Sequence, residues 1–175
     1  MSETLSPALP DAVDKAARQV LETATEHRLS IATAESCTGG LLASLLTDVE
    51  GASHAFERGF VVYSEDAKCE LLHIARDTVQ RCGAVSEEVS VAMAEGALAA
   101  SRADIALAIT GFAGPAGPDD EEGLVHFACA RTGRATLHRE ERFGAIGRGP
   151  VRIECLRVAL EMIGEMIGQM LDEAL

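Results

Sequence analysis

Five consecutive apolar residues, Ile105-Ala106-Leu107-Ala108-Ile109, lie between Asp104 and Thr110. A β-strand turns successive side chains to opposite faces, so a strand that is apolar at every position has no face to give to water. Such a strand is expected where layers cover a sheet on both sides. The rest of the chain supplies that cover, because apolar runs alternate along it with segments of helical periodicity, the mark of an α/β layer structure.

The patterning predicts a helix from about Asp11 to His27, with Ala12, Ala16, Val20 and Leu21 on one side. A first strand follows at Leu29 to Ala34, then a turn at Ser36, a helix from Gly39 to about Asp48 and a second strand from Gly59 to Tyr63. Ser64 suits the cap of a short helix through Leu72. After a loop, Ser86-Glu87-Glu88 opens an alanine-rich helix ending near Arg102, its first turn acidic as the helix dipole favours. Beyond the strand Asp104 to Thr110, Gly111 to Gly123 reads as a loop, and Leu124 to Ala130 with Ala135 to Phe143 reads as a hairpin.

The most apolar long segment, Ile153 to Leu171, is interrupted by Glu154, Arg157, Glu161 and Glu165, which excludes a membrane span. Ile153, Leu156, Leu160, Ile163, Ile167 and Met170 recur there at helical spacing and form one buried stripe. Gly164 and Gly168 on a neighbouring line point to close helix packing at a subunit interface, so a homo-oligomer is expected. The expected architecture is a single-domain layered α/β/α fold spanning residues 1–175, with a central mixed sheet, a long C-terminal helix and a flexible amino terminus over residues 1–10.

The formal net charge is −13, from 28 acidic and 15 basic side chains. Polyanions and anionic membrane surfaces are repelled by such a field, and no basic patch overrides it. One tyrosine and five phenylalanines make no stacking platform for nucleic acid. A small phosphorylated ligand stays compatible, because backbone amides at a helix start and one or two arginines can hold it. Cys37, Cys69, Cys82, Cys129 and Cys155 are odd in number and widely spaced, which suggests free thiols in a reducing cytoplasm and neither a zinc ribbon nor a disulfide framework. The amino terminus has no basic start and apolar run of a secretory signal. The acidic run Asp119 to Glu122 is contiguous and has no EF-hand arrangement, so no metal or other cofactor is called for.

Only two lysines occur against thirteen arginines, and Lys68 is one of them. A guanidinium stays protonated at ordinary pH, whereas an ammonium can lose its proton when desolvated and act as a base. The segment Ala34-Glu35-Ser36-Cys37-Thr38-Gly39-Gly40 places a serine between an apolar strand and a helix, where it is either a helix cap or a nucleophile beside amides that stabilise an oxyanion. A serine nucleophile needs a base. His27, His54, His73, His126 and His138 lie in no recognisable motif, while Lys68 follows a strand-ending tyrosine by five residues and can turn with it to the carboxyl edge of the sheet. Serine, lysine and tyrosine together suit acyl transfer. The other readings are a solvated surface lysine, and a cysteine hydrolase using Cys37 at the helix start.

Three stretches carry a resemblance. Ala34 to Gly40, Gly59-Phe60-Val61-Val62-Tyr63-Ser64-Glu65-Asp66-Ala67-Lys68, and Ile109-Thr110-Gly111-Phe112-Ala113-Gly114-Pro115 resemble, in order and spacing, the signature blocks of the CinA carboxy-terminal domain family, over residues from about 12 to 171. The resemblance implies hydrolysis of nicotinamide mononucleotide to nicotinate mononucleotide and ammonia, with Ser36 as nucleophile, Lys68 as its base and Tyr63 assisting. It further implies substrate contacts from Ala34, Glu35, Thr38, Gly39, Gly40, Thr110, Gly111, Ala113 and Gly114, and a phosphate clamp from Arg148 or Arg152.

Two departures from the family pattern matter. After Pro115 relatives carry a glycine-rich turn and a lysine-proline pair, where this chain has Ala116-Gly117-Pro118-Asp119-Asp120-Glu121-Glu122. Gly144-Ala145-Ile146-Gly147-Arg148 replaces a shorter Gly-Asp-Arg turn. Acids facing the substrate phosphate would weaken binding, which leaves an inactive nucleotide-binding or interaction domain as the alternative.

Overall fold

The computed structural model describes residues 9–173; residues 1–8 of the expected flexible amino terminus lie outside the described residues. Its elements in chain order are α1 (Asp11–Glu26), β1 (Ile31–Glu35), α2 (Leu41–Thr47), β2 (Phe56–Val61), α3 (Glu65–Leu72), α4 (Arg76–Cys82), α5 (Glu87–Ala99), β3 (Ile105–Gly111), β4 (Leu124–Arg131), β5 (Leu137–Arg142) and α6 (Arg148–Glu173). The five strands form one mixed sheet in the order β2-β1-β3-β4-β5. β1 pairs parallel with β2 and with β3, and β3-β4-β5 continue antiparallel.

The sheet sorts its side chains by size. Ile31, Ile105, Leu107, Ile109, Val125, Phe127 and Cys129 face a core shared with α1, α2 and α6. Each isoleucine or leucine buried there contributes about 1.5–3 kcal/mol. The alternate positions, Ala32, Ala34, Ala106, Ala108, Ala128 and Ala130, face α5 through Val89, Met93, Ala94 and Ala97. Alanines on both surfaces let α5 approach closely. Gly96 carries this furthest, because a Cβ there would lie 2.3 Å from the Leu72 carbonyl oxygen. α5 therefore seats directly on the end of α3, the helix that bears Lys68.

Three expectations shift. α2 starts at Leu41 and not Gly39, since Gly39 and Gly40 have φ of +63° and +92°, outside the helical region. α4 occupies the expected loop; its seven residues bury only Val79, too little for a periodic signal. α6 begins at Arg148 and not Ile153, because Pro150 falls in the first turn, where its missing N–H costs nothing. α6 also buries more than one stripe, adding Val151, Cys155, Val158, Ala159, Met162 and Met166, because it packs on both the sheet and α1. Gly164 faces Val20 of α1 at a built-Cβ distance of 4.0 Å. Among the described residues no helix is long and apolar enough to cross a membrane.

Candidate active site

β1 is the strand at which the chain's path reverses. From its carboxyl end the chain reaches β2 through α2 on one face, and from β2 it reaches β3 through α3, α4 and α5 on the other face. Ligand crevices in open α/β sheets form outside the carboxyl ends of strands at such a switch point. Ser36 is the first residue beyond β1.

The backbone at Ser36 is tied to both neighbouring strands. Its N–H donates to the Ile109 carbonyl at 2.9 Å, and the Val62 N–H donates to the Glu35 carbonyl at 2.8 Å. Ser64 starts α3 by accepting the Ala67 N–H at 3.1 Å. One turn further along α3, Lys68 points inward with 1% of its surface exposed. Its Nζ lies 3.0 Å from Ser36 Oγ and donates to the Val62 carbonyl at 2.9 Å. Ser36 is itself 7% exposed. Loss of solvent lowers the Lys68 amine below the usual lysine range, against the opposing pull of Cys37, Glu65 and Cys69.

The turn that follows Ser36 closes on itself through Gly39 N–H to Ser36 carbonyl (3.1 Å) and Leu41 N–H to Thr38 carbonyl (3.2 Å). The amides of Leu42 and Ala43 donate to the fully buried Glu35 carboxylate at 3.0 and 2.8 Å. Two amides of the turn, those of Thr38 and Gly40, are without a backbone or side-chain acceptor among the described residues, while the Cys37 amide donates to its own sulfur. The Thr38 hydroxyl, in a residue 2% exposed, is unpartnered as well.

The remaining expected residues divide. Gly39 lies beside Arg152, whose Nε donates to the Cys37 carbonyl at 2.8 Å. Gly114 lies under Arg148, where a Cβ would come within 2.5 Å of Nη2. The first turns of α6 thus bring both arginines to the two loops of the site. Gly111 is held so close to β4 that a Cβ would meet the Leu124 carbonyl at 2.7 Å, and Ala113 packs into the larger core.

Four of the expected residues have their side chains placed away from Ser36 Oγ or occupied within the fold. Ala34 is wholly buried against the α5 layer and offers no side-chain surface to a ligand. Glu35 has both carboxylate oxygens occupied by α2 amides and acts on the turn from beneath. The Thr110 hydroxyl donates to the Ala84 carbonyl at 2.8 Å, which fixes the loop before α5. Tyr63, two residues beyond β2, is 67% exposed and makes no hydrogen bond to Ser36 or Lys68, while Val62 before it turns inward.

The rival bases and nucleophile are placed elsewhere. His126 and His138 pair with each other across β4 and β5, Nδ1 to Nε2 at 3.0 Å. Cys37 is 3% exposed and packs in the larger core, where its thiol interacts with that of Cys155; the contact and burial push Cys155 upward. The acids Asp119, Asp120 and Glu121 line a cavity of about 540 Å³ together with Glu65, Ala84 and Arg142. Arg142 pairs with Glu121 and Glu140, and neither Arg148 nor Arg152 borders that cavity.

Sequence reasoning missed the carbonyls of Val62 and Ile109, since every residue has one and no side-chain pattern announces its use. It also missed Cys155, which carries no motif.

A family model described as the CinA C-terminal domain matches residues 13–167. The chain is 44% identical over 142 residues to the nicotinamide-nucleotide amidohydrolase PncC of Escherichia coli strain K12, which spans 80% of this chain and 86% of that protein. A CinA-like protein of Akkermansia muciniphila is 53% identical over 113 residues, and these make up 27% of that longer protein. The crystal structure of the competence/damage inducible protein CihA from Agrobacterium tumefaciens superposes with a TM-score of 0.86 at 43% identity, over 89% of this chain and 95% of that one.

Proposed function

Because this chain belongs to the CinA C-terminal domain family, we propose that it is a nicotinamide-nucleotide amidohydrolase, converting nicotinamide mononucleotide and water to nicotinate mononucleotide and ammonia through a Ser36–Lys68 pair. The observation that carries this reading is the 3.0 Å contact between a lysine amine removed from water and a serine hydroxyl at the switch point of the sheet.

The geometry suits the reaction step by step. A neutral amine has two N–H donors and one lone pair. The Val62 carbonyl takes one N–H, which helps to turn the lone pair toward Ser36 Oγ–H. Lys68 removes that proton as Oγ attacks the carboxamide carbon. The Ser36 amide is already bonded to Ile109, so the amides left for the oxyanion are those of Thr38 and Gly40. The Lys68 ammonium then gives its proton to the departing nitrogen, and ammonia leaves an ester on Ser36. Water, deprotonated by the same amine, hydrolyses the ester and restores Ser36.

Arg148 and Arg152 stand one helical turn apart at the start of α6, a spacing that puts both on one face. Their outer nitrogens are suited to the substrate phosphate. Asp119, Asp120 and Glu121 line a cavity that neither arginine borders, so they need not repel that phosphate. Tyr63 has no step in this scheme.

The test is ammonia release from nicotinamide mononucleotide, with nicotinate mononucleotide identified by chromatography, for the intact protein, Ser36→Ala and Lys68→Ala. Activity is expected to fall by about a thousandfold or more in each variant with folding retained. An intact protein that binds the nucleotide without turning it over would replace the enzyme with a binding domain.

A further inference from the structure

The segment that carries the nucleophile is poorly equipped to hold itself. Two of its five residues are glycines with positive φ, and the helix it leads into has only seven residues, a length that is marginal without outside support. Two charged side chains from outside the turn grip it. Beneath it, the Glu35 carboxylate receives the Leu42 and Ala43 amides and fixes the start of α2. Above it, Arg152 reaches from α6 across 115 positions of sequence to bond the Cys37 carbonyl at 2.8 Å. That carbonyl belongs to the residue immediately after Ser36.

We infer that Arg152 is a positioning residue for the nucleophile: its Nε holds the Cys37 carbonyl so that Ser36 Oγ meets Lys68 and the free amides of the turn keep their direction. A guanidinium is suited to this in a way an ammonium is not, because its planar fork can bond the carbonyl through Nε while its outer edge stays over Gly39. The same group therefore links whatever anion lies on the outer edge to the geometry of the nucleophile. A residue that only clamped phosphate would act on substrate affinity. Arg152 acts on the chemical step as well, since a displacement of about 1 Å at the reacting atoms costs on the order of a hundredfold in rate.

The kinetic consequence rests on the amidase reading, whereas the held turn does not, and the experiment has an arm for each. With intact protein, Arg152→Lys and Arg152→Gln, kcat is measured at saturating nicotinamide mononucleotide. It is expected to fall by roughly ten- to a hundredfold in both variants, beyond any rise in KM. In parallel, amide hydrogen exchange is followed by mass spectrometry. The peptide covering residues 36–47 is expected to exchange at least about tenfold faster in Arg152→Gln, with α5 and β3 unchanged. A rise in KM with kcat retained overturns the inference, as does exchange that is unaltered at the turn or accelerated over the whole chain. If the intact protein does not turn over the nucleotide, the amidase reading fails and the exchange arm alone decides the role of Arg152.

Discussion

Replacing Lys68 by methionine tests whether the buried amine is held neutral, without any substrate present. Lys68 is 1% exposed, and desolvation lowers its amine from the ordinary value of 10.5. Between the lowered folded value and 10.5 the unfolded chain binds a proton that the folded chain does not. Unfolding free energy must then rise with pH, at up to about 1.4 kcal/mol per pH unit from this one group. Below the lowered value both states are protonated, the slope vanishes, and the full penalty of the buried ammonium is in force. Methionine fills similar space and cannot ionise. It leaves the Val62 carbonyl and the Ser36 hydroxyl without this partner, a pH-independent cost of about 1–3 kcal/mol that displaces the curve without tilting it. Urea unfolding of both proteins at half-unit steps from pH 7 to 10 gives the two curves. The wild-type curve is expected to climb with pH relative to Lys68→Met inside the window and to run parallel to it below. Parallel curves would mean that Lys68 titrates like a solvated lysine, and an amine that stays charged cannot take the proton of Ser36 near neutrality.

Tyr63→Phe is expected to retain kcat within about tenfold, because the ring is exposed and bonds neither Ser36 nor Lys68; a loss equal to that of Lys68→Ala would show that substrate recruits the phenol. Cys37→Ser should keep turnover within about tenfold while unfolding about 1–3 kcal/mol more easily in urea, since the hydroxyl enters an apolar core. Loss of turnover with folding intact would revive the thiol as nucleophile. Gly96→Ala places a Cβ 2.3 Å from the Leu72 carbonyl, a backbone atom that cannot swing aside, so it should cost about 1–3 kcal/mol in urea unfolding and lower kcat by displacing α3. Unchanged stability would mean that the contact between α5 and α3 is looser than this packing implies.

The layered fold was legible because burial on both faces leaves a mark at every position of a strand, as in Ile105 to Ile109. The size sorting within that run, with isoleucine and leucine toward α6 and alanine toward α5, sets how near α5 comes and hence where α3 stands. α4 was illegible for the opposite reason, since a seven-residue helix burying one side chain writes almost nothing in the sequence. At the site, Ser36 and Lys68 were legible as chemistry, and their 3.0 Å approach follows from the fold. Glu35 is ambiguous in the sequence because a carboxylate suits a ligand and a helix start equally well, and only the direction in which β1 turns it brings its oxygens to the α2 amides. Tyr63 was open to a better reading. An apolar Val62 next to Tyr63 suggests opposite directions for the two side chains, and the structure has Val62 buried and Tyr63 exposed just beyond β2.

The burial that makes Lys68 costly is the same burial that makes it useful. An exposed lysine at that place would keep its proton and an exposed serine would be solvated, so the pair would react no faster than the free side chains. Burying Lys68 on the inner side of α3 and anchoring Ser36 beside β3 removes water from both. The Val62 carbonyl then supplies one fixed acceptor, enough to orient an amine but too weak to hold an ammonium as a carboxylate would. A carboxylate placed within reach of Nζ would stabilise the fold by pairing the charge and would raise the amine out of range. The sequence has 28 acidic side chains, yet none bonds Lys68 among the described residues. The absence of a bonded acid fits the proposed role of Lys68 as a base: Val62→Asp, which keeps the backbone acceptor and adds a carboxyl one residue beyond the end of β2, is expected to raise the pH at which turnover begins. A pH–rate profile left in place would show that the Lys68 amine does not set the onset of turnover.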